Sequence, residues 1–294
     1  MLYRATHTTR YLYEEPVSQC FNELRLTPRS MPNQHVQSTA ISISPEPAEM
    51  NTRVDYFGNQ VQVFAILQMH DRFTATATSL VEVMPRQQEM IAGLSWEEAR
   101  DLLLAQPDAQ CLEASEFVFD SPYVTAGREL AEYAHPTFTA GRPLFEAAQE
   151  LSRRIHAEFT YKPKSTTIDT PLAEVLKKRS GVCQDFAHVM IGCLRSLRLA
   201  ARYVSGYLRS GVKYVGAASS HAWVSVFIPG TGWLSFDPTN DVIPGEGHVT
   251  LAFGRDYGDV TPVKGIAVGG GEQTVEVEVR VHPAPQNEQL ARVT

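Results

Sequence analysis

This chain of 294 residues has no long apolar run. No stretch approaches the ~18 to 20 consecutive apolar residues that cross a bilayer, and the first seven residues show no basic start followed by an apolar segment. We therefore expect neither a membrane span nor an export signal. The sequence predicts a soluble, cytoplasmic protein with no membrane partner.

The sequence also has few cysteines and no C-x-x-C pair. The four that it contains are Cys20, Cys111, Cys183 and Cys193. Their spacing favours neither a disulfide framework nor a zinc site. We expect free thiols in a reducing compartment, no bound metal, and no cofactor.

A cluster of basic residues is missing as well. The formal net charge is -7, with 33 acidic and 26 basic residues, and no Lys/Arg run tracks a phosphate backbone. Nucleic acid is therefore not an expected partner. No basic cluster is placed to meet the phosphates of coenzyme A either, which counts against acyl transfer from such a thioester. The pattern specifies no oligomeric state.

The composition is that of a globular protein, with 43% hydrophobic and 20% charged residues. This length exceeds what one small core needs, so two domains are expected. We predict a β domain over residues 1–90 and a larger core over residues 91–294 that includes a C-terminal strand.

Residues 3–83 alternate β-branched or aromatic residues with polar ones, as in 39–43 and 61–66. The segment DYFGN at 55–59 supplies Gly and Asn where a hairpin needs positive φ, and we interpret it as a structural turn. This half is predicted to be an antiparallel, sandwich-like β domain.

The middle of the chain has the spacing of helices. Pro85 precedes an N-cap at Ser95, which indicates a boundary near residues 85–95. Residues 107–140 contain many Pro, Ser and Gly, so we expect an irregular connection with one short helix around residues 128–133. Further helices are predicted over residues 143–159, over residues 171–179 with an end at Ser180-Gly181, and from Cys183 to about Leu197.

After residue 199 the period changes to that of strands. Alternation is found in residues 202–207, 221–228, 233–236 and 274–281. Helices followed by antiparallel strands are typical of an α+β fold.

Cys183 falls in the first turn of its predicted helix. Unpaired N–H groups and the positive end of the helix dipole favour a thiolate there, and the same N–H groups can hold a tetrahedral oxyanion. The alternative is that Cys183 is a small core residue, which is the commoner role of a lone helical cysteine.

A hairpin further along contains a histidine and an aspartate. If residues 229–231 form its loop, Ile228 pairs with Gly232, and Asp237 lies opposite Trp223 and diagonal to His221. A two-residue turn would send Asp237 to the other face. Taken singly, His221 is more often a strand histidine and Asp237 a turn residue, but together they can orient and deprotonate a thiol.

These motifs resemble the core of bacterial transglutaminase-like proteins. The resemblance is carried, in order, by residues 179–188 (RSGVCQDFAH), 197–207 (LRLAARYVSGY), 220–224 (SHAWV), 233–239 (WLSFDPT) and 254–262 (GRDYGDVTP). The N-terminal region, with its tyrosines at 3, 11 and 13 and the DYFGN segment, is similar to the accessory domain of that family. The resemblance covers nearly the whole chain.

The resemblance implies a papain-related thiol fold in which Cys183 is the nucleophile, His221 the acid/base and Asp237 the orienting acid. It implies action on a peptide bond or glutamine carboxamide of a protein or peptide substrate through an acyl thioester. We expect hydrolysis rather than amine transfer, because transfer needs a second shaped pocket. The alternative function is a non-catalytic peptide-binding or assembly module on the same fold.

Three further residues are candidates for the oxyanion site or the substrate cleft. Tyr161 precedes the nucleophile helix, Gln184 adjoins the nucleophile, and Trp223 shares the predicted face of His221. Their alternative roles are a buried aromatic, an exposed helical glutamine and aromatic packing.

Overall fold

The computed structural model describes residues 1–85 and 93–285. Its first part consists of five strands: β1 Leu2–Leu24, β2 Gln34–Ser44, β3 Glu49–Val54, β4 Gln60–Ile66 and β5 His70–Val83. The strands are antiparallel, as their alternation of apolar and polar residues predicts. The predicted antiparallel β region is confirmed.

The second part begins with helices, and strands predominate later. The helices are α1 Trp96–Ala105, α2 Ala109–Ser115, α3 Arg128–Ala134, α4 Leu144–Glu158, α5 Leu172–Lys178, α6 Cys183–Ser196 and α7 Tyr257–Val260. The strands are β6 Thr160–Tyr161, β7 Ser180–Gly181, β8 Ala201–Leu208, β9 His221–Ile228, β10 Gly232–Phe236, β11 His248–Gly254, β12 Val263–Gly269 and β13 Gln273–Pro283. The α+β class is confirmed.

Local sequence signals explain several helix ends. Ser95 accepts a hydrogen bond from the N–H of Glu98, whose carboxylate accepts one from Ser95 N, so α1 begins with a capping box. Helix α5 ends one residue before Arg179, which takes a left-handed conformation with φ 48°. Helix α2 and the 3-10 turn at Glu116–Val118 were not predicted from the sequence, because Pro and Ser punctuate that region.

Helix α6 packs against a four-stranded antiparallel sheet of order β10-β9-β8-β11. Ala222, Val224, Val226 and Ile228 of β9 lie in the same hydrophobic core as the buried residues of α6. The odd-numbered residues of β9 therefore form the opposite, outer face of the sheet.

The long strand β1 joins the two ends of the chain. Its first half pairs with β5 and β13, and its second half pairs with β4 and β12. The C-terminal strand, which we expected in the larger core, thus lies in the N-terminal sheet. Local periodicity identifies a strand but not its partner, and β1 offers hydrogen-bonding groups on both edges.

The division of the chain at residue 90 stays a prediction. Residues 86–92, which contain most of the proposed boundary at 85–95, lie outside the described residues. On either side of them, a single hydrophobic core includes Tyr3 and Val81 of the first sheet, Leu151 of α4 and Val224 of β9. The two parts therefore share buried apolar surface.

The segment at residues 55–59 forms the predicted turn and also an anchor. Gly58 has φ 76°, and Asp55 N donates to Asn59 O (2.9 Å). Asn59 Nδ2 donates to Phe253 O (2.8 Å), and Phe253 N donates to Asn59 Oδ1 (2.9 Å). One amide side chain thus satisfies both backbone groups of a residue in β11.

Candidate active site

Cys183 is the first residue of α6, and its side chain is largely buried. The carboxylate of Asp185 holds the start of the helix by accepting hydrogen bonds from Val182 N (2.7 Å) and Thr166 Oγ1 (2.7 Å). Residue 181 must be glycine, since a Cβ at that residue would lie 2.5 Å from Asp185 Oδ2. The first-turn N–H groups at Cys183 have no acceptor within the helix.

The hairpin of β9 and β10 has the predicted register. Gly232 pairs with Ile228 and Phe236 with Val224, so residues 229–231 form a three-residue loop. The next residue after Phe236 is Asp237, which therefore approaches the beginning of β9. This brings Asp237 to His221, the first residue of that strand.

His221 and Asp237 form a buried pair, with Nε2 of the histidine 2.8 Å from Oδ2 of the aspartate. Both side chains are fully shielded from solvent. The other ring nitrogen, Nδ1, is also buried and makes no hydrogen bond to the described residues. Asp237 therefore leaves that nitrogen available to a further partner.

The charges of the three groups are coupled. Burial by itself would lower the pKa of His221, but the nearby Asp237 and then Cys183 outweigh it and raise that pKa to about 10. Burial would likewise raise the pKa of Asp237, yet His221, with help from His248, holds it well below the usual range. These two pKa shifts favour an imidazolium beside an ionised carboxylate.

Residues just after Asp237 complete its hydrogen bonding. Thr239 N (2.9 Å) and Asn240 N (3.2 Å) donate to Oδ1, and Asn240 Nδ2 donates to Oδ2 (2.9 Å). The side chain of Asn240 also accepts from Val215 N (2.8 Å) and so ties the loop between β8 and β9 to the carboxylate. Asn240 has no periodic signal in the sequence, and its role follows only from the turn after Asp237.

His248 is a second histidine at the same carboxylate. Its Nε2 lies 3.4 Å from Asp237 Oδ2, and its side chain is buried. Burial lowers the pKa of His248, an effect that Asp237 partly offsets and the charge of His221 reinforces. Sequence reasoning missed His248 because β11 reaches Asp237 through tertiary packing.

Gly216 brings the β8–β9 loop against the imidazole. Its φ is 89°, and a Cβ at this residue would lie 3.0 Å from His221 Nδ1 and 3.6 Å from the hydroxyl of Tyr161. Only glycine combines this backbone conformation with so close an approach. The loop therefore covers the ring nitrogen that Asp237 leaves free.

Tyr161 lies beside the start of α6, as its sequence position suggested. The two-residue strand β6 runs parallel to β7, with Tyr161 paired to Gly181. Burial, and next the charge of Cys183, raise the pKa of Tyr161 to about 12, so its hydroxyl remains a proton donor near neutral pH. Tyr161 is half-buried, which leaves part of the side chain accessible.

The other two cleft candidates occupy different places. Gln184 is the second residue of α6 and is half-buried. Trp223 is almost wholly buried, packs over Gly206, and has its ring centroid 6.1 Å from that of His221. The structure thus brings Trp223 to the imidazole, and it places Gln184 in the turn that begins with Cys183.

Two family models match the chain. Residues 3–82 match the bacterial transglutaminase-like N-terminal region, and residues 131–238 match the transglutaminase-like superfamily. An uncharacterized protein of Mycobacterium tuberculosis (strain ATCC 25618 / H37Rv) is 38% identical over 96% of this chain and 92% of its own length. The chain belongs to the transglutaminase-like superfamily.

Further proteins are similar to the chain, and one solved structure shares its fold. An uncharacterized protein of Mycobacterium leprae (strain TN) is 32% identical to this transglutaminase-like chain over 95% of it and 97% of the relative. A protein-glutamine gamma-glutamyltransferase of Pseudomonas aeruginosa is 35% identical over 35% of this chain and 17% of its own length. The solved structure of a candidate cysteine protease from Cytophaga hutchinsonii covers 99% of this chain and 92% of that one, with TM-score 0.75 and 21% identity.

The transglutaminase-like family supports a cysteine-dependent enzyme, and the geometry above contains the groups that such chemistry uses. Within residues 1–85 and 93–285, no three His, Cys, Asp or Glu side chains are grouped to hold a metal ion. In the same part of the chain, no helix is long and apolar enough to cross a membrane.

Proposed function

We propose that this transglutaminase-like protein is a thiol enzyme that hydrolyses amide bonds of a protein or peptide through an acyl thioester on Cys183. The observation that carries the proposal is the position of His221. Its Nε2 is held 2.8 Å from Asp237 Oδ2, its buried Nδ1 makes no hydrogen bond to the described residues, and Cys183 helps to raise the pKa of the ring. A thiol, an imidazole and an orienting carboxylate are the parts that nucleophilic acyl transfer needs.

In the first half of the reaction, the sulfur of Cys183 attacks the amide carbonyl carbon. His221 holds the proton that the thiol loses, and Asp237 stabilises the resulting imidazolium. The carbonyl oxygen becomes an oxyanion, for which the first-turn N–H groups of α6 and the Tyr161 hydroxyl are the candidate donors. His221 then gives its proton to the departing amine, and the C–N bond breaks.

In the second half, water attacks the thioester carbonyl carbon. His221 accepts a proton from that water, and the bond to Cys183 breaks, so the acid is released and the thiolate restored. An amine in place of water would give a new amide. We favour hydrolysis because water, unlike an amine, needs no shaped pocket. The name of the relative from Pseudomonas aeruginosa, a transferase, points to the other outcome.

The chain contains its own control for thiol activation. Cys111 also lies in the first turn of a helix, but its neighbour is Asp108, and burial together with that carboxylate raises the pKa of Cys111. We expect iodoacetamide at pH 6 to alkylate Cys183 at least about tenfold faster than Cys111, as read by peptide mass mapping. The variant His221→Ala is expected to slow labelling of Cys183 and leave Cys111 unchanged. Equal rates at the two cysteines would contradict the assignment.

The reaction itself is tested with glutamine-containing peptides, with and without a fluorescent primary amine. Mass spectrometry separates a shortened peptide, a deamidated side chain and an amine adduct. We expect cleavage or deamidation by the wild type and by Cys111→Ser, and none by Cys183→Ser. An adduct as the main product would show transfer instead. If Cys183 is labelled fast but no product forms from a broad peptide pool, the alternative function, a non-catalytic peptide-binding module, would be favoured.

We further propose that the protein works in the cytoplasm. Its four cysteines are buried and free, which fits a reducing compartment.

A further inference from the structure

A cavity lies on the outer face of the four-stranded sheet, and its lining includes neither Cys183 nor His221. Its volume is about 780 Å³, and it separates the loop after β1 from the β9–β10 hairpin. We call it the arginine cavity, and its defining wall residues are Arg29, Arg202, Trp223, Trp233, His248 and Phe253. Its size is within the range of about 300 to 1,000 Å³ that small-molecule sites have.

The arginine cavity has positive charge, and the residues described in its lining include no carboxylate. The guanidinium of Arg202 lies between the rings of Trp233 (4.1 Å) and Phe253 (3.7 Å), and that of Arg29 lies 4.7 Å from Phe253. The Nε atoms of both arginines are buried and make no hydrogen bond. None of the described lining residues is an Asp or Glu, in a chain whose formal net charge is -7.

The electrostatics of Arg202 agree with an excess of positive charge. Burial, and next the repulsion of Arg29, lower the pKa of Arg202 to about 9. The side chain therefore still carries its charge at neutral pH. A buried charge of this kind is costly unless an opposite charge approaches it.

The walls of the cavity are fixed by hydrogen bonds. Arg29 N donates to Thr250 O (3.2 Å). Gln34 donates from Nε2 to Thr250 O (2.8 Å) and accepts at Oε1 from Thr250 N (2.8 Å). The loop that contains Arg29 is thereby attached to β11, so a ligand would not have to order it.

Polar groups face the cavity between the aromatic walls. Ser225 and Ser235 share a hydrogen bond (2.7 Å between their Oγ atoms) in its lining. His248 contributes a buried Nδ1 that makes no hydrogen bond to the described residues. Aromatic surfaces with a few convergent polar groups are typical of sites for small organic ligands.

We propose that the arginine cavity binds a small organic carboxylate, with its oxygen atoms at the guanidinium of Arg202 and its apolar body against the aromatic walls. A planar guanidinium bonds a carboxylate through two parallel hydrogen bonds, which fixes the orientation of the ligand. Ser225 pairs with Arg202 across β8 and β9, and with Ser235 across β9 and β10, so the two hydroxyls lie on the strands beside that guanidinium.

The arginine cavity is distinct from the proposed acyl site, but two of its lining residues contact His221 and Asp237. Trp223 packs against His221, and His248 contacts Asp237. A ligand would therefore meet the two residues that lie behind the buried pair. Binding in this cavity does not depend on the proposed reaction at Cys183.

The three tryptophans of the chain allow a direct test. Trp223 and Trp233 line the cavity. Trp96 is not in the lining, donates a hydrogen bond from its indole N–H to Thr139 O, and serves as an internal reference. The ¹⁵N-labelled full chain is titrated with benzoate at constant ionic strength, and the three indole N–H signals are followed by NMR. We expect saturable shifts for Trp223 and Trp233 but not for Trp96. Benzamide, which is uncharged, is expected to bind at least tenfold more weakly.

Variants locate the charge that is responsible. Arg202→Met is expected to weaken benzoate binding at least tenfold. Arg202→Lys keeps the charge but loses the planar guanidinium that makes two parallel hydrogen bonds, and it should weaken binding less. Arg100 is the matched control, because it stacks on Trp96 at 5.3 Å outside the cavity. Arg100→Met should bind benzoate like the wild type.

Several outcomes would overturn the proposal without any variant. Among them are equal binding of benzoate and benzamide, and benzoate shifts that do not saturate. Inorganic phosphate that produces the same saturable shifts with equal or higher affinity would show a bare oxyanion site, not a site for an organic carboxylate.

Discussion

One buried carboxylate organises the candidate active site at the residue scale. Asp237 accepts hydrogen bonds from Thr239 N and Asn240, lies within 2.8 Å of His221 Nε2, and has His248 3.4 Å away. So many donors keep the carboxylate ionised although it is buried, and the bond to Nε2 leaves Nδ1 of His221 without a hydrogen bond to the described residues.

Local sequence was sufficient to find some of these residues but not others. The start of a helix has its own sequence signals, which place Cys183 in a first turn, and a hairpin can be counted from its loop, which pairs His221 with Asp237. Asn240, His248 and Gly216 act through contacts between distant segments, and nothing in the residues next to them indicates those contacts.

Gly216 provides a prediction about the loop over the imidazole. We expect Gly216→Ala to lower kcat/KM by about tenfold or more, because the new methyl group would meet His221 Nδ1 and the φ of 89° would cost about 1–2 kcal/mol. Kinetics on the best peptide substrate and a thermal melt would measure the two effects separately.

Gly211 is the matched control for this substitution. It lies in the same loop with φ 80°, but a Cβ there would meet nothing within 4 Å. Gly211→Ala should therefore cost similar stability without the loss of activity. Equal activity in the two variants would mean that contact with His221 does not matter.

The raised pKa of His221 predicts how stability depends on pH. Because the folded-state pKa is about 10 and the unfolded value about 6.5, folding favours the protonated ring. The stabilisation is complete below about pH 6.5 and is lost as pH rises through about 10. We expect the Tm of the wild type to fall more steeply from pH 6.5 to 10 than that of His221→Gln, as measured by scanning fluorimetry.

An exposed histidine supplies the comparison for that experiment. His35 is solvent-exposed in β2, far along the chain from the buried pair. His35→Gln should follow the wild-type curve over the whole range. Parallel curves for the wild type and His221→Gln would show that His221 gains no protonation on folding.

At the scale of elements, regular periodicity predicted helices α4 and α6 and strands β8, β9, β10 and β13, but not strands β11 and β12. The residues at spacings of three and four in α4 and α6 are buried, and the strands of the β9–β10 hairpin have the expected register. Helix α2 was missed because its seven residues are too few to show a period and lie among helix-breaking residues.

The hairpin loop gives a prediction at this scale. Deleting Thr231 would leave a two-residue loop, and a shift of one residue would send Asp237 to the opposite face of the sheet. We expect kcat/KM to fall by about 10³- to 10⁴-fold, the order of loss that a misoriented catalytic imidazole causes. The alkylation rate of Cys183 at pH 6 should fall as well.

A variant of unchanged loop length tests whether register is the cause. Thr231→Ser keeps three residues in the loop and should retain most of the activity. Circular dichroism of the deletion variant must show the native strand content, since a misfolded sheet would also be inactive. A folded deletion variant with wild-type activity would exclude the proposed role of Asp237.

At the scale of the whole molecule, strand β1 and the shared core make the two parts of the chain dependent on each other. The first half of β1 pairs with β13, so the C-terminal strand completes the N-terminal sheet. The sequence predicted the strand at residues 274–281 but not its partner, because strand pairing between distant segments depends on which edges the folded chain leaves accessible.

Asn59 joins the N-terminal sheet to the strand that contains His248. Its side chain bonds both backbone groups of Phe253 and also accepts from Arg29 Nη1 (2.6 Å). Asn59→Ala leaves these buried groups without partners, which we expect to cost about 3 kcal/mol. The exposed Asn51 of β3 provides the control, and Asn51→Ala should change the stability little.

The tryptophans show which part of the molecule responds, since all three lie after residue 93. Their fluorescence therefore reports mainly on the second part of the chain, although Asn59 belongs to the first and Arg29 of the first part lines the same cavity as Trp223 and Trp233. If the two parts unfold together, Asn59→Ala lowers the midpoint of the tryptophan transition in urea as much as that of the far-UV circular dichroism. A tryptophan midpoint that stays at the wild-type value would mean that the part with Cys183 and His221 folds independently of the N-terminal sheet.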